Sequence, residues 1–303
     1  MDLPLLEYCQ FTHPRRSSDF CLRAPSPAKP EGSVAVYGVS DMIGHPTGLR
    51  WRNYMKAMQK QLVRRMRDKP PNSLDEVDAI LREELAWHST QISRIRSRHD
   101  DEAFGFCVCM AAVCGRECEV QWLGDCRCYH VRRLPKDRTR PEDAMTVEVR
   151  CLTQDQNRLG DIMQEKEEFT VFQSETLELS KHLGCFLGIH DDDRVARTLV
   201  TSRARLTLAP GECLLLATDG FYMPNIRSLM DSTNFSLTRR GYYLEDWFAQ
   251  LLTQADRRIP AGEPEYWPEM ITYLIDRTLR LPCRRHQYRD DIAVMGLFAP
   301  END

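Results

Sequence analysis

The sequence predicts an α+β protein. Many short apolar runs read as strands, two long amphipathic segments stand in tandem early in the chain, and further helical segments are grouped late. That grouping argues against a parallel sheet of strictly alternating strands and helices.

The first residues, MDLPLLEYCQF, carry neither a basic start nor a continuous apolar block, so no signal peptide is expected. No stretch approaches ~18 uninterrupted apolar residues, so no membrane partner is expected. The formal net charge of −4 over 303 residues argues against a general nucleic-acid binder. A cytoplasmic location is expected.

RRSSDFC leads to Asp19, and the proline-rich APSPAKPEG reads as a loop. SVAVYGVSD is rich in valine and reads as a strand that delivers Asp41 at its end. After Gly48 the period changes. Trp51, Met55, Met58, Leu62 and Met66 recur every three or four residues, as on the core face of a helix. KPPNS breaks that helix, and Ser73 with Glu76 forms a capping box for a second. Val77, Ile80, Leu81, Leu85, Ile92 and Ile95 mark its buried side, so an antiparallel helix pair over a sheet is expected.

FGFCVCMAAVC, ECEVQWLGD and CRCYHVRR read as consecutive strands, with a turn at Gly115-Arg116 and Asp125 between the last two. LPKDRTRPEDAM is an exposed loop, and LTQDQN, with Asp155, follows a short strand. KEEFTVFQ reads as a strand and ETLELSKHL as a helical turn. The acidic run Asp191 to Asp193 reads as a charged loop, with cation binding the sharper alternative.

TSRARLTLAPGECLLLATDG predicts a hairpin with a Pro-Gly turn, ending at Asp219. Gly220 then lets the backbone turn sharply and come close to whatever the carboxylate holds. The stretch from 226 to 285 is helical: Tyr243, Trp247, Leu251 and Leu252 mark one helix, and Met270, Tyr273, Leu274, Ile275 and Leu279 another. GEPEYWPEM between them reads as a loop, and RRGYYLEDW and LRLPCRRHQYR as solvated faces or a grip for a phosphopeptide. DDIAVMGLF closes the chain as a strand with Asp290 at its entry.

The twelve cysteines include CxC pairs at Cys107/Cys109 and Cys126/Cys128 and a CxxxC pair at Cys114/Cys118. On strands a CxC spacing puts both thiols on one face. Two readings follow: reduced core residues among Phe, Val, Met and Ala, or a zinc site built from adjacent strands.

Several of these runs end in an aspartate. The series SSD, VSDMIGH, GDCR, LTQDQ, Leu187-Gly188, TDG and DDIAV spans nearly the whole chain. In order and form it resembles the protein phosphatase 2C (PPM) family of metal-dependent serine/threonine phosphatases, as a divergent, bacterial-type relative. There Asn-Glu-Asp, Val-Ala-Asp-Gly-Met-Gly-Gly, Gly-Asp-Ser-Arg, Leu-Thr-x-Asp-His, Leu-Gly, Ser-Asp-Gly and Asp-Asn-Ile-Thr-Val follow one another.

The resemblance implies a four-layer α-β-β-α sandwich, two antiparallel sheets flanked by helices. It implies one domain over 1–303, with a variable flap at about 156–186 and the helical segment at about 226–285. It also implies a site for two Mn2+ or Mg2+ ions and a third, weaker one. Asp41 bridges the first two, Asp219 and Asp290 hold one of them, and the Met42 carbonyl helps hold the other. Asp125 joins Asp219 at the third, and Asp19, which closes the first motif, belongs to the metal set. Arg15 or Arg16 orients the phosphate, and His45 is the candidate leaving-group acid.

The implied activity is hydrolysis of phosphoserine and phosphothreonine on proteins, a signalling function with a cognate kinase as a further partner. Phosphate monoesters hydrolyse very slowly unaided. Two hard ions ~3.5–4 Å apart supply a bridging hydroxide that attacks phosphorus in line, and they neutralise charge. Such ions prefer carboxylates to thiols. The sequence departs from the family at Ser18, where the motif has Glu, at Met42, where it has Gly, at Ile43, where some relatives carry His, and at Gly44-His45, where it has Gly-Gly. These departures keep a second reading open, a weak or inactive phosphatase-like binding module. A zinc- or redox-regulated protein is the third.

Overall fold

The computed structural model describes residues 7–13, 19–24, 34–43, 48–96, 105–135, 144–165, 168–170, 187–188, 202–232, 236–259, 265–281 and 290–299. Arg15, Arg16, His45, the acidic run at 191–193 and most of the expected flap lie outside them.

The chain runs β1 (Glu7–His13), β2 (Phe20–Ala24), β3 (Val34–Ile43), α1 (Gly48–Asp68), α2 (Leu74–Arg96), β4 (Gly105–Cys114), β5 (Glu117–Leu123), β6 (Arg127–Arg133) and β7 (Val147–Cys151). It continues through α3 (Arg158–Glu165), β8 (Glu168–Thr170), β9 (Leu187–Gly188), β10 (Ser202–Thr207), β11 (Glu212–Ala217) and α4 (Asp219–Ser232). It ends with β12 (Ser236–Thr238), α5 (Arg239–Tyr242), α6 (Glu245–Asp256), α7 (Tyr266–Arg280) and β13 (Ile292–Phe298).

Two antiparallel sheets form the centre. One has the order β1-β13-β11-β6-β7, and the other β10-β5-β4-β3-β2 with β9 beside β4. Period-2 alternation sorts their side chains. On β4, Phe106, Val108, Met110 and Ala112 face α1 and α2, while Cys107, Cys109, Ala111 and Val113 face the other sheet. On β11, Leu214 and Leu216 face the inter-sheet core, and Cys213, Leu215 and Ala217 face the later helices. The layer order is therefore α-β-β-α, as expected.

The helix pair follows the sequence closely. Met55, Met58, Leu62 and Met66 of α1 are buried against Leu22, Val34 and Val36. Burying one such side chain is worth roughly 1.5–3 kcal/mol. That outweighs the few tenths of a kcal/mol lost to each like-charge neighbour among exposed Lys56, Lys60 and Arg64. At the start of α2, Glu76 N–H donates to Ser73 Oγ at 3.3 Å. The Glu76 carboxylate reaches back to the Asn72 N–H at 2.8 Å, one residue earlier than in the usual box.

Four expectations change. The predicted hairpin of β10 and β11 does not form: β10 pairs with β5 in one sheet and β11 with β13 and β6 in the other. The Pro210-Gly211 turn carries the chain between layers, because β10 alternates half-buried and exposed whereas β11 is almost wholly buried. Asp41 lies inside β3, not at its end, since the ladder with β4 runs on to Ile43. α7 begins at Tyr266, inside the expected loop, and Pro268 sits in its first turn, where a missing N–H costs nothing. Tyr242 and Tyr243 of RRGYYLEDW are buried, so they offer no surface to a peptide.

Cys107, Cys109, Cys118, Cys126 and Cys128 are buried free thiols of the inter-sheet core. Burial pushes the Cys107 and Cys109 thiols well up, so they stay protonated. The core reading of these residues therefore holds.

Candidate active site

Sheet topology brings distant motifs to one end of the sandwich. Asp41 pairs with Cys107 near the start of β4, and Phe20, just after Asp19, pairs with Ser40. In the other sheet Ala217 pairs with Arg127 on one side and Val294 on the other. Asp125 precedes β6, Asp219 follows β11 and Asp290 precedes β13, so these three share one end of that sheet's strands.

The five aspartates act on one another. Burial, and then the negative charges of Asp19, Asp219, Asp290 and Asp125, hold the Asp41 carboxyl well above the usual carboxylate range. Burial and then Asp290, Asp125 and Asp19 do the same to Asp219, against a hydrogen bond with Asp41. Asp19 is pushed up to about 8, mainly by burial, against hydrogen bonds with Thr218 and Asp41. Asp125 is pushed up to about 6 by burial and then by Asp155, against Cys107 and Arg127. Four of the five are half-buried, and Asp290 is exposed. The cluster thus opens to solvent on one side. Like charges held this close repel unless protons or cations neutralise them.

The supporting geometry is specific. Asp219 is the first residue of α4, so the positive end of that helix offsets part of its charge. Thr218, for which the sequence suggested no role, donates its hydroxyl to Asp19 Oδ2. The same Oγ1 accepts the Ala293 N–H at 3.0 Å, tying β2, β11 and β13 together. Gly220 works by close approach rather than by turning. It is helical, and a Cβ there would lie 1.8 Å from the Asp291 carbonyl oxygen. Asp290 Oδ1 accepts the Asp291 N–H at 3.0 Å, which fixes the entry to β13. Gly220→Ala should force that entry away from Asp219 and cost about 1–3 kcal/mol of stability. Denaturant unfolding checks this, with unchanged stability as the contrary result.

Gly124 has φ +92°, and a Cβ there would sit 2.2 Å from Cys107 Sγ. Met42 lies on an extended strand opposite Phe106 and needs no glycine-like backbone. Its side chain packs on the α1–α2 side.

Behind the aspartates lies a group that sequence reasoning passed over. Arg127 is fully buried. It donates Nε to Asp155 Oδ1 at 2.9 Å, Nη2 to Asp155 Oδ2 at 2.7 Å and Nη1 to the Tyr242 carbonyl at 3.0 Å. The rings of Tyr222, Tyr242 and Tyr243 surround its guanidinium at 3.8, 4.6 and 4.8 Å. The signal was an arginine and an aspartate within two of the quoted motifs, GDCR and LTQDQ.

The carboxylate set fits hard divalent cations in kind. Asp219 Oδ1 is buried without a hydrogen-bond partner, which suits an oxygen meant for an ion. As they stand, no three His, Cys, Asp or Glu side chains among the described residues have metal-holding geometry.

No family model matches the sequence, and no curated protein matches it. Solved structures do. Stp1, a serine/threonine phosphatase from Staphylococcus aureus, superposes with TM-score 0.63 at 13% identity, over 100% of this chain and 98% of that one. The PPM Ser-Thr phosphatase MsPP from Mycobacterium smegmatis, in complex with cacodylate, gives 0.58 at 16%, over 97% and 98%. The catalytic domain of PstP in complex with two manganese ions gives 0.57 at 15%, over 98% and 99%. The chain has the protein phosphatase 2C fold. Among its described residues no helix is long and apolar enough to cross a membrane.

Proposed function

We propose that this protein is a metal-dependent phosphatase that hydrolyses phosphoserine and phosphothreonine on proteins. One observation carries the reading: Asp19, Asp41, Asp125, Asp219 and Asp290 come from five separated segments and meet at one end of the sandwich. A purely structural role does not explain why a fold would gather repelling carboxylates where water can reach them.

Asp41, Asp219 and Asp290, with the Met42 carbonyl, would hold two Mn2+ or Mg2+ ions, and Asp19 and Asp125 complete the set. Bound there, such ions lower the pKa of water and neutralise a phosphoryl group. The protein's share is positioning. β3 and the β11–α4 junction set the carboxylates, Thr218 holds Asp19, and the partial exposure of the carboxylates would admit a phosphoryl group from solvent. Arg15 or Arg16 would bind phosphate, and His45 would serve the leaving group. Phosphorylated protein is the proposed substrate and a cognate kinase the proposed counterpart, with the segment at about 156–186 acting as the flap beside the site.

The test is hydrolysis of p-nitrophenyl phosphate and of a phosphothreonine peptide while Mn2+ is titrated in, with Asp41→Asn beside the wild type. Turnover that requires Mn2+ and vanishes in Asp41→Asn is expected. A folded wild-type protein without turnover at millimolar Mn2+ would favour the binding module instead.

A further inference from the structure

The turn that carries Asp125 is held from two sides. From one side Gln156 clamps it: the Gly124 N–H donates to Gln156 Oε1 at 2.8 Å, and the Gln156 N–H donates to the Gly124 carbonyl at 3.0 Å. These bonds fix the turn to the chain after β7. From the other side the Tyr222 hydroxyl donates to the Asp125 carbonyl at 2.8 Å. Tyr222 stands one turn into α4, the helix that Asp219 begins. Its ring lies against the Arg127 guanidinium, two residues beyond Asp125, and the ring itself is buried.

Tyr222 therefore spans the two elements that carry Asp125 and Asp219, whose charges act on one another. Its own ring cannot drift, because Arg127 is locked by Asp155 and by the Tyr242 carbonyl. A hydroxyl on so fixed a ring sets a distance.

We propose that Tyr222, backed by Arg127, is a positioning residue that sets where the Asp125 carboxylate stands relative to Asp219. This inference rests on the proposed metal site and names a control over it. The ion shared by Asp125 and Asp219 is the one affected. An ion held by Asp41, Asp219 and Asp290 does not depend on this contact. Outer groups that orient ligands commonly change metal affinity by about 10–100-fold, and Tyr222 acts in that way through the backbone of its ligand.

The test is Mn2+ binding without substrate, followed by the electron paramagnetic resonance signal of free Mn2+, at a temperature below every variant's Tm. Asp125→Asn first identifies the weak class of Mn2+ in the wild-type protein. Tyr222→Phe keeps the ring on Arg127 and removes the hydroxyl. It should weaken that class by about 10-fold and leave the tighter class within about twofold. Tyr242→Phe is the structural control. It removes the hydroxyl bond to Asp155 Oδ2 at 2.5 Å, so it should lower Tm yet leave both classes within about twofold.

A weak class unchanged in Tyr222→Phe would overturn the inference, and so would equal loss in both tyrosine variants. Those results leave the metal site standing. A wild-type protein that takes up no Mn2+ in either class would bring down the proposed function, and this inference with it.

Discussion

Asp219→Asn should remove phosphatase turnover while making the metal-free protein more stable. Asp219 feels the charges of Asp290, Asp125 and Asp19 and hydrogen-bonds Asp41, and its Oδ1 has no hydrogen-bond partner to lose. The amide keeps the shape and removes a charge that burial, Asp290, Asp125 and Asp19 all oppose. In EDTA the variant should gain about 0.5–2 kcal/mol, the usual size of a single stabilising substitution. In Mn2+ the order should reverse. A bound ion stabilises the wild type by mass action, about 2.7 kcal/mol at a hundredfold excess over Kd, and the variant loses most of that. Turnover should fall by roughly 10³-fold or more, about 4 kcal/mol of transition-state stabilisation. Thermal unfolding of both proteins with EDTA and with Mn2+, beside phosphothreonine-peptide kinetics, measures all three. A variant that is less stable in EDTA would mean that Asp219 is a structural residue.

Arg127→Met should have the largest effect on stability. It leaves the Asp155 carboxylate buried with the Tyr242 hydroxyl but no counter-charge. Removing one partner of a buried pair costs about 3–5 kcal/mol, because the other charge stays behind uncompensated. Three aromatic contacts with the guanidinium are lost as well. The double variant Arg127→Met/Asp155→Leu should be markedly less damaging than the two single changes summed, since it leaves no orphaned charge. Urea unfolding of the four proteins gives the coupling directly. Additive losses would show that the pair is not what joins the GDCR turn to the segment after β7.

The sequence alone determined the α+β class and the tandem helices, and it marked the aspartates at the ends of apolar runs as candidates. Each rests on local chemistry: helical periodicity from Trp51 to Met66, valine-rich strands, and aspartates closing apolar runs. The resemblance supplied the layer order and the choice of Asp19, Asp41, Asp125, Asp219 and Asp290 as one set. Sequence did not reach the partnership of strands. β10 and β11 look like a hairpin because they are adjacent in the chain, and nothing local says that each finds a better ladder in a different sheet. It did not reach Gly220 either, where the constraint is the Asp291 carbonyl arriving from 71 positions later. Arg127 reads as any arginine on a strand. Its burial is tolerable only because Asp155 and three tyrosines from later parts of the chain surround it. Local composition decided which groups could do chemistry. Tertiary structure decided which of them meet, because long-range packing alone sets the neighbours that hold a charge in place.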